Sequence, residues 1–136
     1  MMKVENSTVS TTGDSSPAIM IADGGGILIA DGGSFTTSGA MSQGIYSKGD
    51  VTVTNASVNA LNAKAAVLKG NNTITLSGTT LEGKETTDTV PYNIVLFSDE
   101  KDIGTMGTQH FDVRGGYLIS HKGGMFYVPL PTVKFP

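Results

Sequence analysis

VTVTNASVNALN, at residues 51–62, is followed along the chain by ITLSGTTLEGKE, at residues 74–85. Both segments place apolar residues at alternate positions, then a polar turn, then another apolar residue. Alternation with a period of two indicates a half-buried β-strand. The pattern recurs in three further segments: KVENSTVSTTG from Lys3, LIADGGSFTTSG from Leu28 and FDVRGGYLISHK from Phe111.

The apolar residue after each turn gives the length of the repeat. Successive copies of this residue are 26, 23, 23 and 37 positions apart: Val9, Phe35, Val58, Leu81 and Leu118. A second apolar strand follows each copy: AIMI at Ala18, GIYS at Gly44, AAVL at Ala65, NIVLF at Asn93 and MFYV at Met125. We therefore predict an all-β fold, a right-handed three-sided parallel β-helix (a solenoid) of about five rungs. An antiparallel sandwich also has short strands and glycine-rich turns, but it does not require the same turn every 23 residues.

On the best-aligned face of this helix, the alternation predicts two inward columns of side chains: Ile27, Val51, Ile74, Phe111 and Ile29, Val53, Leu76, Val113. We expect residues 1–136 to form one β-helix domain, a fragment of a longer solenoid, with a loop insertion at about residues 88–110. Uncapped end rungs expose strand edges, so end-to-end association of copies is also expected.

Composition excludes several classes of function. The net charge is −3, and the single arginine and scattered lysines do not form the basic cluster that nucleic-acid binding needs. The absence of cysteine excludes disulfides and thiolate metal sites. Because no stretch approaches the roughly 20 apolar residues of a membrane helix, we expect no membrane insertion.

Three strings carry a resemblance to a known family: STVSTTGDSSPAI, ADGGGILIADGGSFTTSGAMSQGIYSKGDVTVTNASV and AAVLKGNNTITLSGTTLEG. They resemble the repeats of bacterial adhesin-like β-helix proteins, including autotransporter passenger-type repeats and surface proteins of gut Firmicutes. The resemblance covers residues 4–96 well and residues 111–128 more loosely. It implies a pectate-lyase-like fold that is extracellular or held at the cell surface. The start, MMKVEN, contains no signal peptide, so we expect a leader to lie outside this sequence.

Catalytic motifs typical of the β-helix polysaccharide hydrolases, Asn-Thr-Asp, Asp-Asp and Gly-His-Gly, do not occur. Four aspartates sit in or beside glycine turns, where carboxylates usually accept backbone hydrogen bonds: Asp14, Asp23, Asp31 and Asp50. Glu82 and Glu85 are close in sequence, and a glycosidase needs two carboxylates about 5 to 9.5 Å apart. We predict no enzymatic activity, no cofactor and no metal site.

The best candidates for ligand binding are an aromatic residue and the polar residues of the insertion. Tyr46 would stack on a sugar ring if it faces outward, and loops that interrupt a repeat often form its binding face: here Asp99, Glu100, Asp102 and His110. We therefore predict a non-catalytic, adhesin-like module that binds a polysaccharide or a host glycan. A fragment of a polysaccharide lyase or hydrolase and a purely structural stalk are the alternatives.

Overall fold

The computed structural model describes residues 1–22, 25–70, 72–85, 92–97, 109–121 and 124–127. These residues form β-strands joined by turns: β1 (Met2–Thr11), β2 (Ile19–Ile21), β3 (Ile27–Thr37), β4 (Ile45–Ser47), β5 (Asp50–Thr54), β6 (Ser57–Ala60), β7 (Ala66–Lys69), β8 (Asn72–Gly83), β9 (Tyr92–Phe97), β10 (Gln109–Ser120) and β11 (Gly124–Tyr127). Among the described residues there is no helix of the length and hydrophobicity needed to cross a membrane.

The strands form two parallel sheets. In the first, β5 and β6 together occupy one position in the order β1, β3, β5/β6, β8, β10; in the second the order is β2, β4, β7, β9, β11. Pairing joins residues one repeat apart, so that Val9 lies opposite Phe35 and Val58 opposite Leu81. The repeat positions predicted from the sequence are therefore the register positions of the first sheet.

The all-β prediction is confirmed, but the prediction of a three-sided parallel β-helix is wrong, because the strands form two parallel sheets. In a three-sided helix, the segments before and after the polar turn of each repeat unit would lie on separate faces. Instead they belong to the same sheet. Strand β3 continues through the turn and pairs with β5 before it and with β6 after it.

A column of residues with positive φ explains why the turn does not separate two faces. Each of the five repeat units has a positive-φ residue at the bend, and the pairing register aligns these residues side by side: Asn6, Gly32, Asn55, Gly78 and Gly115. In β3 and β10 the next residue, Gly33 or Gly116, also has positive φ. Glycine and asparagine tolerate this left-handed conformation better than other residues. In β8 the alternation slips by one residue at Gly78, from buried Ile74 and Leu76 to buried Thr79 and Leu81. Left-handed backbone at this column thus bends every strand at the same place, and pairing continues beyond it.

The core lies between the inward faces of the two sheets and includes residues of both, such as Val53 and Leu76 from the first and Ile45 and Leu68 from the second. The predicted inward positions in β3 are wrong by one residue. Ile27 is 49% exposed, whereas Leu28 and Ala30 are buried and lie opposite Val51 and Val53. Because residues 27–30 are all apolar, alternation alone does not show whether residues 27 and 29 or residues 28 and 30 face the core.

Threonine side chains join the first sheet to the turn that leads to the second. The hydroxyl of buried Thr37 donates to the carbonyl of Ser42 at 2.5 Å, and Thr11 makes the equivalent bond to Ser16 at 2.6 Å. Because Thr11 lies opposite Thr37, the same bond recurs in two neighbouring repeats. These bonds satisfy turn carbonyls that would otherwise be partly buried without a donor.

Strand β9 lies inside the insertion expected at residues 88–110 and pairs with β7 and β11 as a regular member of the second sheet. Most of the remaining insertion lies outside the described residues. The expectation of a single domain over residues 1–136 stays a prediction.

Candidate functional site

Three neighbouring strands of the first sheet form a surface of mixed polar and apolar side chains after the left-handed bend, which we call the outer patch. Alternation points every second side chain of this segment away from the core. The patch consists of three rows across the strands: Ser57, Thr80 and Tyr117; Asn59, Glu82 and Ile119; Leu61, Lys84 and His121. Tyr117 is 70% exposed and is the most exposed aromatic side chain among the described residues.

A cleft of about 560 Å³ lies at the end of the patch where the strands enter their turns. Its lining includes Asn59, Asn62, Glu82, Lys84 and His121. The side chains of Glu82 and His121 contact one another across the two strands. The cleft therefore presents amide, carboxylate, ammonium and imidazole groups together, which offer both donors and acceptors.

A buried polar cluster lies behind this corner. Lys64 and Glu85 form an ion pair at 3.7 Å, and their side chains are only 6% and 3% exposed. The backbone N–H of Glu85 donates to Asn93, whose side-chain amide donates to the hydroxyl of Ser120. These contacts connect the turns after β6 and β8 to strands β9 and β10.

The two glutamates that are close in sequence consequently have different roles. Glu82 faces the cleft, whereas Glu85 is buried against Lys64. The pair does not face a common space in the way that two catalytic carboxylates would. No group of three or more histidine, cysteine, aspartate or glutamate side chains that could hold a metal ion occurs within the described ranges.

Tyr46, predicted as a sugar-stacking residue, lies in β4 of the second sheet. It is half-buried between buried Ile45 and Ser47, so its ring points outward. The ammonium group of Lys69 lies 5.5 Å from the ring centroid, a distance typical of a cation–π contact. Its outward direction agrees with the condition set for sugar stacking, and the ring is already in contact with a side chain of the chain itself.

Of the other predicted ligand residues, the structure describes His110, which lies in a different sheet from Tyr46. His110 is exposed near the start of β10 in the first sheet, opposite Thr73. Asp99, Glu100 and Asp102 lie outside the described residues, so their proposed roles stay predictions.

Two of the turn aspartates accept backbone hydrogen bonds, but from the next repeat and not from their own turn. The carboxylate of Asp14 accepts from the N–H of Ala40, and that of Asp50 from the N–H of Thr73. They therefore help to hold neighbouring repeats together.

Sequence reasoning did not assemble the outer patch. Of its residues, the sequence pattern singled out Glu82, because it is close to Glu85 in the chain. Aligning YLISH at residues 117–121 with TLEGK at residues 80–84 and alternating from the bend would have placed the outward residues side by side.

No protein-family model matches this chain, no curated protein matches it, and no solved structure matches it. The candidate site is therefore defined by its own geometry.

Proposed function

We propose that this chain is a non-catalytic binding module that holds a carbohydrate chain on the outer patch, and that it acts outside the cell or at the cell surface. The observation that carries the proposal is the combination of exposed Tyr117 with a cleft lined by polar side chains on the same three strands. The resemblance of three sequence strings to the repeats of adhesin-like surface proteins favours the same class of function.

The chemistry of the patch suits a sugar. Hydroxyl groups of a sugar both donate and accept hydrogen bonds, and Asn59, Glu82 and Lys84 supply both kinds of partner within one cleft. The flat ring of Tyr117 offers an apolar surface to the C–H groups of a pyranose. Parallel pairing holds these strands in a fixed register, so the side chains are arranged before a ligand arrives.

Binding is favoured over hydrolysis by the separation of the two glutamates. A glycosidase positions two carboxylates on either side of one bond. Glu82 alone of this pair faces the cleft, and its partner there is His121.

The test is a glycan-array screen of the intact chain, followed by calorimetric titration with the strongest polysaccharide. We expect Tyr117→Ala and Asn59→Ala each to weaken binding about tenfold, because each removes a side chain that would contact the sugar. A matched pair on one strand localises the site: Thr80→Ala in the patch should weaken binding, whereas Thr75→Ala, before the bend of β8, should not.

Equal losses from Thr75→Ala and Thr80→Ala would contradict the outer patch as the site. Loss on Tyr46→Ala with no effect of Tyr117→Ala would move the site to the second sheet. A chain that binds no glycan at any tested concentration would be a structural stalk.

A further inference from the structure

The two end strands of the first sheet carry opposite patterns of charge. Strand β1 has Lys3 and Glu5, and β10 has Asp112 and Arg114. The side chains within each pair contact each other: Lys3 Nζ lies 2.7 Å from Glu5, and Arg114 Nη2 lies 2.9 Å from Asp112. The pairs thus have the same spacing but the reverse order of sign.

The register of the sheet places these four residues in two columns. The first runs Lys3, Ile29, Thr52, Thr75, Asp112, and the second runs Glu5, Asp31, Thr54, Ser77, Arg114. If β10 of one molecule were followed by β1 of another at the same one-repeat step, Asp112 would lie opposite Lys3 and Arg114 opposite Glu5. Both contacts would then join opposite charges, which stabilises neighbouring strands.

The apolar columns continue across the same junction. Val113 would lie opposite Val4, and Leu118 opposite Val9, which are the partners that the register assigns to these columns. In the second sheet, Phe126 would lie opposite Ile19. Val113 is 38% exposed and Phe126 is 44% exposed, so a following molecule would remove apolar surface from water. Placing the second molecule one repeat beyond the first therefore continues both sheets.

We propose that copies of this chain associate head to tail, with β1 of one molecule pairing in parallel and in register with β10 of the next. Among the described residues, no strand pairs with the outer edge of β1 or of β10. Such unpaired edges have free backbone donors and acceptors that suit a strand of another molecule. Because the contact joins different surfaces, it generates an open chain of molecules and not a closed dimer.

The four charges explain why the contact is specific. The hydrogen bond with Glu5 raises the pKa of Lys3, and the hydrogen bond with Lys3 lowers the pKa of Glu5, so both groups are charged at neutral pH. A shift of the register by two residues would place Arg114 opposite Lys3, and like charges directly opposite each other are unfavourable. Only the in-register contact pairs both columns with opposite sign.

Charge-order variants test the proposal without changing composition. The double variant K3E/E5K keeps the net charge of −3 and the pair within β1, as does D112R/R114D within β10. Either variant alone turns both contacts at the junction into repulsions, and the two together restore attraction. Sedimentation velocity over a concentration series, at low salt, measures the association.

We expect the natural chain to form concentration-dependent chains, each double variant to associate about tenfold more weakly, and the quadruple variant to recover the natural value. Salt at about 0.5 M should weaken the natural association, because exposed charges are screened. Far-ultraviolet circular dichroism checks that each variant keeps its strands.

Disulfide cross-linking tests which residues lie opposite each other at the junction, independently of charge. Ser10 and Ile119 belong to one column, so a mixture of S10C and I119C chains should form a disulfide-linked heterodimer on mild oxidation. The control mixture of S10C with T75C should not, since Thr75 lies on the interior strand β8. A natural chain that stays monomeric, an association unaffected by charge order, or equal cross-linking in both mixtures would overturn the proposal.

Discussion

Strands β5 and β10 carry valines in the same column of the first sheet, yet these side chains have different surroundings. Val53 is fully buried, with Ala30 on one side and Leu76 on the other. Among the described residues, Val113 has a strand neighbour on one side, Leu76, and it is 38% exposed. Burial in this fold therefore comes from the repeats before and after, because the side chains of one repeat do not enclose each other.

The same contrast between interior and end holds for polar groups. The pair Lys64–Glu85 is almost wholly buried, whereas the pair Lys3–Glu5 on β1 is more than half exposed. Thr37 is fully buried, and its equivalent on the end strand, Thr11, is only partly buried. Equivalent substitutions at interior and end positions should therefore differ in cost, and three matched comparisons test this.

The largest difference is expected between the two ion pairs. Glu85→Gln leaves the ammonium group of Lys64 buried without its carboxylate, which should lower the free energy of unfolding by about 3–5 kcal/mol. Glu5→Gln should leave it unchanged, because both groups are in water. Urea unfolding followed by circular dichroism gives both values.

A second variant separates the charge effect from lost packing. Replacing both partners, Lys64→Met with Glu85→Met, should recover most of the stability that Glu85→Gln loses. Equal effects of Glu85→Gln and Glu5→Gln would contradict the buried environment of the pair.

A smaller difference is expected for the two valines. Val53→Ala removes two methyl groups from a filled interior and should cost about 2–3 kcal/mol, whereas Val113→Ala should cost about 1 kcal/mol or less. Thermal unfolding of dilute samples measures both, since dilution prevents association at the β10 edge. Equal costs for Val113→Ala and Val53→Ala in the monomer would contradict the difference in burial between the two positions.

The smallest difference is expected for the two threonines. Thr37→Val removes the donor to Ser42 and buries an unsatisfied carbonyl, which should cost about 1–2 kcal/mol. Thr11→Val should cost less, because water reaches the carbonyl of Ser16 more easily. Denaturant midpoints at equal m-values resolve the two, and a larger loss for Thr11→Val would reverse the comparison.

Much of the register of the first sheet could be predicted from the sequence. The column from Val9 through Phe35, Val58 and Leu81 to Leu118 was predicted from spacing alone and is the observed register. Ile27 and Ile29 were predicted to face the core, and this is wrong. Four successive apolar residues do not indicate which two of them point inward. The pairing of Leu28 with Val51 and of Ala30 with Val53 shows that the other two residues face the core.

The candidate binding residues were likewise only partly predictable from the sequence. Alternation shows that Tyr46 faces outward if Ile45 is buried, but not that Lys69 from another strand lies beside its ring. The outer patch joins residues about 20 to 40 positions apart, and nothing local in the sequence distinguishes Glu82, which faces the cleft, from buried Glu85.

The sequence by itself determined that this protein is built from short, aligned, apolar-alternating strands, because period and turn chemistry are local properties of the chain. The tertiary structure decided that these strands form two parallel sheets instead of three faces. The physical reason is that a left-handed residue bends a strand, and whether pairing continues beyond the bend depends on neighbours one repeat away.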